Sequence, residues 1–135
     1  MRILLDSDTL FALYVASDIH HHKARQIFQE LLNKEKELLV TNLVVQETAT
    51  VISYRFGQKQ AIDFINRFNK IDIEQVFVDR KLTIKAWEIF LKQKKKGTSY
   101  IDCANIVVYK ELKILSIFSF DQVYKRMGLK VIKDC

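Results

Sequence analysis

The sequence predicts an α/β domain with a mainly parallel central sheet of four to five strands and helices on both faces. Three observations lead there. Short apolar runs alternate with longer segments whose apolar residues recur at helical spacing, from one end of the 135-residue chain to the other. The short runs are apolar on successive residues, as strands buried between two helix layers are. No internal repeat, low-complexity tract or linker interrupts the alternation, and proline is absent. The length suits one domain with a core large enough to dispense with disulfides or a structural metal.

Arg2 to Leu5 is the first strand, and Asp8 to Ala16 suits a helix. His21 to Asn33 is the second helix, because Ala24, Ile27, Phe28, Leu31 and Leu32 fall on one stripe. Glu37 to Val40 is a strand. Thr41 then caps a helix from Asn42 to Phe56, closed by Gly57. Ala61, Phe64, Ile65 and Phe68 mark the fourth helix, and Ile73 to Val78 the third strand. Asp79 can cap a helix with Leu82, Ala86, Ile89 and Phe90 on its face. That helix is expected to end in Lys94, Lys95, Lys96 and Gly97, cations at the negative end of the dipole with a glycine after them. Thr98 or Ser99 opens a helix reaching Glu111. Lys113 to Phe118 is a strand, Gln122 to Met127 a short helix closed by Gly128, and Lys130 to Ile132 the last strand.

Composition narrows the function. The formal charge is +6, from 22 basic and 16 acidic residues, which suits a polyanionic partner such as RNA or DNA. No apolar run reaches the roughly 18 to 20 residues that span a bilayer. Asp6 and Asp8 interrupt any signal-peptide core, so a cytoplasmic protein with no membrane contact is expected. Cys103 and Cys135 lack zinc-ligand spacing and read as free thiols. His20, His21 and His22 point in different directions on a helix and make a poor ligand set.

Several carboxylates are harder to explain by folding alone. Glu47 lies in a stripe with Leu43, Val44, Val51 and Tyr54, where an unpaired carboxylate is costly. A cation, or a salt bridge at the stripe's edge, would accommodate it. Asp102 completes a capping box with Ser99, yet it opens a helix that is apolar nearly all round, with Asn105 as its polar companion. Asp121 could cap the short helix after it, and it also stands beyond a strand's carboxyl end, as Asp6 does. Asp8 fits helix capping or support of the site better than direct coordination. In parallel sheets ligands bind at the carboxyl ends of the strands. Carboxylates clustered there repel one another unless cations neutralise them, and oxygen ligands with few histidines favour Mg²⁺ or Mn²⁺.

This order and spacing resemble the PIN domain. The residues that carry the likeness are "ILLDSDTLFALY", "HHHKARQIF", "TNLVVQETATVI", "SYIDCANIVVYKEL" and "IFSFDQVYKRMGLKVI". The resemblance covers essentially residues 1–135 as a single domain and implies a three-layer α/β/α fold. It also implies an acidic quartet of Asp6, Glu47, Asp102 and Asp121 holding one or two Mg²⁺ or Mn²⁺ ions, with Asp6 and Asp102 the foremost direct ligands. Ser119 takes the place of the hydroxyl residue two before the fourth acid, and Asp8 and Asn105 are supporting residues. Asp8 stands where the family often has asparagine or serine, and Tyr124 fills the aromatic place after Asp121.

A chain of this length looks most like a VapC-type toxin of a type II toxin–antitoxin module. The resemblance then implies a metal-dependent endoribonuclease that directs a water in line at an RNA phosphodiester, leaving a 5′-phosphate and a 3′-hydroxyl. It implies an antitoxin whose segment blocks the acidic pocket, and a homodimer. Lys94, Lys95 and Lys96 are either a phosphate grip or a solvated helix end. Other readings are an RNA-processing PIN nuclease outside such a module and a PIN domain that binds without cutting, although binding-only domains typically lose part of the quartet kept here. "DSDTL" also resembles haloacid-dehalogenase phosphatases, but Leu10 stands where they carry a hydroxyl residue or valine.

Overall fold

The chain runs β1 (Arg2–Leu5), α1 (Ser7–Tyr14), α2 (His21–Asn33), β2 (Glu37–Thr41), α3 (Asn42–Phe56), α4 (Gln58–Phe68), β3 (Glu74–Val76), α5 (Arg80–Leu91), α6 (Tyr100–Glu111), β4 (Ser116–Phe118), α7 (Val123–Arg126) and β5 (Val131–Ile132). This computed structural model describes residues 1–132, so Cys135 lies outside the described residues. The five strands form one sheet in the order β3-β2-β1-β4-β5, and every neighbouring pair is parallel. No helix among the described residues is long and apolar enough to cross a membrane.

Strand alternation divides the core into two layers. Ile3, Leu5, Leu38, Val40 and Phe118 face one way, against Leu10, Ile27, Val44, Ile52 and Phe64 of α1 to α4. Leu4, Leu39 and Ile117 face the other, against Ile106, Val108, Val123 and Tyr124 of α6 and α7. A fully buried side chain of this size contributes about 1.5–3 kcal/mol. Outside that second layer, Ala86 of α5 packs on Cys103, Ala104 and Val107 of α6, small residues that let the two helices approach closely. Lys85 and Glu111 pair across the same seam. Cys103 is a buried free thiol.

Several boundaries differ from those expected by a residue or two, and three differ for a visible physical reason. β3 is only Glu74–Val76, because the Asn42 side chain accepts from the Val78 N–H at 2.8 Å and takes over from the ladder. β4 begins at Ser116, after a turn in which Lys113 has φ 53 and Ile114 N–H donates to the Tyr109 carbonyl at 2.9 Å. α5 ends at Leu91, where its apolar face ends, and Lys94, Lys95 and Lys96 fall in the exposed loop leading to α6. They are not in the last turn of a helix, and Gly97 (φ 98) belongs to that loop rather than to a cap. Gly57 does close α3 as expected, and its φ of 99 is a conformation that few other residues adopt.

The strand order places the site. From β1 the chain winds outward through β2 and β3, and then returns to the other side for β4 and β5. The carboxyl ends of β1 and β4 therefore border the point where the winding reverses, which is where open parallel sheets leave a crevice. Asp6 follows the first of these strands and Ser119 the second. Asp6 N–H donates to the Phe118 carbonyl at 3.1 Å, which locks the two ends together.

Candidate active site

Asp6 leaves β1 in an extended conformation (φ −89, ψ 168) and is the N-cap of α1. Its Oδ1 accepts from Ser7 N–H at 2.8 Å and from Asn105 Nδ2 at 3.0 Å, and its Oδ2 from Ser119 Oγ at 3.1 Å. The residue is 3% exposed. Burial, then the charge of Asp8, pushes its carboxyl well above the usual range, and the donors from Ser7 and Ser119 only partly offset this.

The roles of the two aspartates in "DSD" are thus the reverse of the capping expectation, since Asp6 and not Asp8 caps the helix. Asp8 sits in the first turn of α1 and reaches across to the segment after β4. Its Oδ2 accepts from Phe120 N–H at 2.9 Å, and Ser119 Oγ lies 3.3–3.4 Å from its oxygens. Burial raises its pKa to about 6; the Phe120 bond opposes this and the charge of Asp121 adds to it.

Asp102 completes the capping box foreseen with Ser99: its Oδ2 accepts from Ser99 N–H at 2.9 Å, and its N–H donates to Ser99 Oγ at 3.0 Å. Asp102 also meets Tyr124, whose hydroxyl donates to its Oδ1 at 3.2 Å. Burial raises its pKa, against the Ser99 bond and with the charge of Asp121. Asn105, fully buried one turn later on α6, donates one Nδ2 proton to Asp6 and the other to Tyr124 Oη at 2.9 Å. A single chain of donors therefore runs from α1 through α6 to α7 and back to Asp102. The Tyr124 hydroxyl is 0% exposed with its residue, and burial followed by the charges of Asp6 and Asp102 holds it protonated as a donor. From its place in the sequence Tyr124 is expected only to fill an aromatic packing position. The signal for more was a phenol among the apolar neighbours of α7, since a buried hydroxyl needs a partner.

Asp121 is exposed. Its N–H donates to Ser119 Oγ at 3.0 Å and its Oδ1 accepts from Val123 N–H at 2.9 Å, so it does hold the start of α7. Its charge is felt by both Asp8 and Asp102. Asp6, Asp8, Asp102 and Asp121 are thus one electrostatic unit.

Glu47 occupies a different position from the one its stripe suggested. The buried face of α3 is Val44, Val45, Thr48 and Ile52, whereas Tyr54 is 87% exposed. Thr48 sits on that face because its hydroxyl donates to the Val44 carbonyl at 2.8 Å. Glu47 is half-buried beside it and lines a cleft of about 210 Å³ with Ser7, Asp8, Phe11, Asp18, His20 and Val51. Asp8 is the member of the acidic unit that shares this lining with it. The histidine run divides as its spacing required. His20 stacks on Phe120, His21 Nδ1 donates to the Ala12 carbonyl at 2.7 Å, and His22 is exposed.

Among the described residues, no three histidine, cysteine, aspartate or glutamate side chains stand ready-made to hold a metal ion. The donors present are nevertheless carboxylates and carboxamides, suited to a hard divalent cation and not to a soft one. Burial first, and neighbouring carboxylates second, disfavour the charged form of three of these carboxyls, and a cation would offset both. Donor chemistry and electrostatics therefore fit Mg²⁺ or Mn²⁺, with side-chain adjustment on binding.

The sequence profile of the PIN domain matches residues 3–130. A VapC ribonuclease of Archaeoglobus fulgidus is 32% identical over 124 residues, which span 90% of this chain and 78% of that protein. The 23S rRNA-specific endonuclease VapC20 of Mycobacterium tuberculosis is 24% identical over 133 residues, 97% of this chain and 98% of the relative. The crystal structure of VapC20, described as a Sarcin-Ricin loop cleaving toxin, superposes with a TM-score of 0.82 at 22% identity over 94% of this chain and 95% of that one. VapBC2 of Rickettsia felis, crystallised on a DNA fragment from its promoter, gives a TM-score of 0.69 at 14% identity over 98% of both chains.

Proposed function

The chain belongs to the PIN domain family, and we propose that it is a divalent-metal-dependent endoribonuclease, the toxin of a type II toxin–antitoxin pair. The observation that carries this reading is the acidic unit at the reversal point of the sheet, in a chain whose relative at 32% identity is a VapC ribonuclease. The likeness to VapBC2 supports a cognate antitoxin as partner, and the excess of 22 basic over 16 acidic residues supports an RNA substrate. A homodimer fits the same family reading.

Asp6 and Asp102 would hold Mg²⁺ or Mn²⁺, one ion or two, with Glu47 and Asp121 at the edge. A bound ion of this kind supplies charge neutralisation at a phosphodiester and makes water a better nucleophile. The chain's own residues set the stage. Asn105 and Tyr124 fix the orientation of both aspartates, and residues that hold ligands in this way contribute as much as tenfold or more to such sites. Ser119 and Asp8 tie the end of β4 to α1, so Asp121 keeps its place relative to Asp6. Backbone contacts carry little base code, so RNA choice rests on groups around the cleft.

The test is cleavage of purified RNA with Mn²⁺, followed by end-group analysis. The wild type is expected to leave 5′-phosphates, and Asp102→Asn to cut at least about 100-fold more slowly. Cleavage that persists in EDTA, or that survives the substitution unchanged, contradicts the proposal. A small neighbouring gene for a DNA-binding protein whose product abolishes cleavage would support the toxin assignment, and a product that binds without inhibiting would count against it.

A further inference from the structure

We propose that His20, backed by Phe120, is a stacking platform for an unpaired base of the RNA, seating the strand beside the acidic cleft. The proposal deepens the ribonuclease reading and rests on it. The two rings are nearly parallel, with centroids 4.2 Å apart and planes 4° apart. The backbone that carries each ring is anchored. Asp18 accepts from His20 N–H at 3.0 Å and fixes the approach to α2. Phe120 packs edge-on against the buried Phe118 at 5.9 Å, and its own N–H donates to Asp8 at 2.9 Å. The platform is therefore one peptide bond from Asp121 on one side and one hydrogen bond from Asp8 on the other.

His20 itself is exposed and lines the cleft that holds Asp8 and Glu47. Phe120 covers one face of the imidazole, and His20 stays exposed where it lines that cleft. An aromatic ring already held flat loses little freedom when a base joins the stack. Unpaired bases in RNA are commonly bound in this way, on histidine as on phenylalanine, tyrosine and tryptophan, and with little sequence preference. The acidic unit attracts a cation but repels a phosphodiester, so a cutting site of this kind needs a separate grip on the strand. The exposed loop lysines precede Asp102 in the chain and do not line the cleft, whereas His20 lines it together with Asp8 and Glu47.

The test uses a short single-stranded RNA carrying one 2-aminopurine, moved along the strand in a series of probes. Binding is measured in EDTA and cleavage in Mn²⁺. In the wild type one position is expected to lose fluorescence on binding, as a stacked base does. His20→Ala should restore the fluorescence and weaken binding about tenfold. It should raise KM with kcat nearly unchanged, because His20 is outside the acidic unit. His20→Tyr should keep both quenching and affinity, and His22→Ala should behave as the wild type. Equal quenching and equal KM in the wild type and His20→Ala, with cleavage intact, overturn the platform and leave the nuclease standing. A wild type that neither binds nor cuts RNA overturns the ribonuclease reading and the platform with it.

Discussion

Asp6 and Asp79 each follow a strand and each cap a helix, Asp6 accepting from Ser7 N–H at 2.8 Å and Asp79 from Leu82 N–H at 2.9 Å. Asp79 is exposed and serves the helix alone. Asp6 is 3% exposed, holds two further donors from α6 and from the end of β4, and lies within the field of Asp8 and Asp102. The local motif is the same at both places. The difference comes from the sheet: Asp6 ends the central strand at the reversal point, and Asp79 follows the edge strand. A carboxylate becomes a candidate ligand when the fold removes its water and gives it like-charged neighbours.

The largest effect that could break this comparison is on catalysis. Asp6→Asn keeps a good helix cap, because asparagine caps as well as aspartate, and should still lower RNA cleavage about 100-fold or more. Asp79→Asn should leave the rate unchanged. Comparable losses in both variants would mean that helix capping, not the acidic unit, sets the activity.

Tyr124→Phe comes next. It deprives Asp102 of a donor and leaves one Asn105 proton without its acceptor. Thermal and denaturant unfolding should show a loss of about 1–3 kcal/mol, with cleavage reduced roughly tenfold. A stability and rate equal to the wild type would show that the link between α6 and α7 does not position the aspartates.

The pH response is smaller and has a defined sign. The folded pKa of Asp8 is raised to about 6 from 3.8, and those of Asp6 and Asp102 are raised as well. Between the unfolded and folded values the folded state binds more protons, so its stability falls as pH rises through that window. Below about pH 4 the penalty is absent, and above the folded values it is complete. In EDTA, the acidic unit should therefore contribute to a lower Tm at pH 7.5 than at pH 5, and Asp8→Asn should flatten that difference. A Tm difference between these pH values that is the same in the variant would remove Asp8 from the account. The smallest effect is Asp79→Ala, expected to cost about 1 kcal/mol through the lost cap, with cleavage untouched.

Much of this was legible in the sequence, and the exceptions have physical causes. The parallel sheet followed from apolar runs alternating with amphipathic segments, and the caps at Thr41, Asp79 and Ser99 from residues whose side chains can accept a helix N–H. The end of α5 was misplaced because lysines suit a helix and a glycine after them reads as a cap. The helix in fact stops where its apolar face stops, at Leu91. Glu47 reads as buried because Leu43, Val44, Val51 and Tyr54 surround it at helical spacing, but Tyr54 is 87% exposed, and the face turned to the core carries Thr48, whose hydroxyl is satisfied within its own helix. The Asn105 to Tyr124 link joins residues that are distant in sequence from Asp6, and no local pattern encodes it. Asp6 and Asp121 stand out in the sequence by their places beyond strands, Asp102 by the apolar helix it opens and Glu47 by its apolar neighbours.

The most direct measurement is Mn²⁺ binding at neutral pH by titration calorimetry on the wild type, Asp6→Asn, Asp102→Asn and Asp79→Asn. The expected result is one or two sites in the wild type and in Asp79→Asn, and binding lost or weakened at least about tenfold in the other two. Equal binding in all four, or no binding in the wild type, would contradict the assignment of the acidic unit as a metal site.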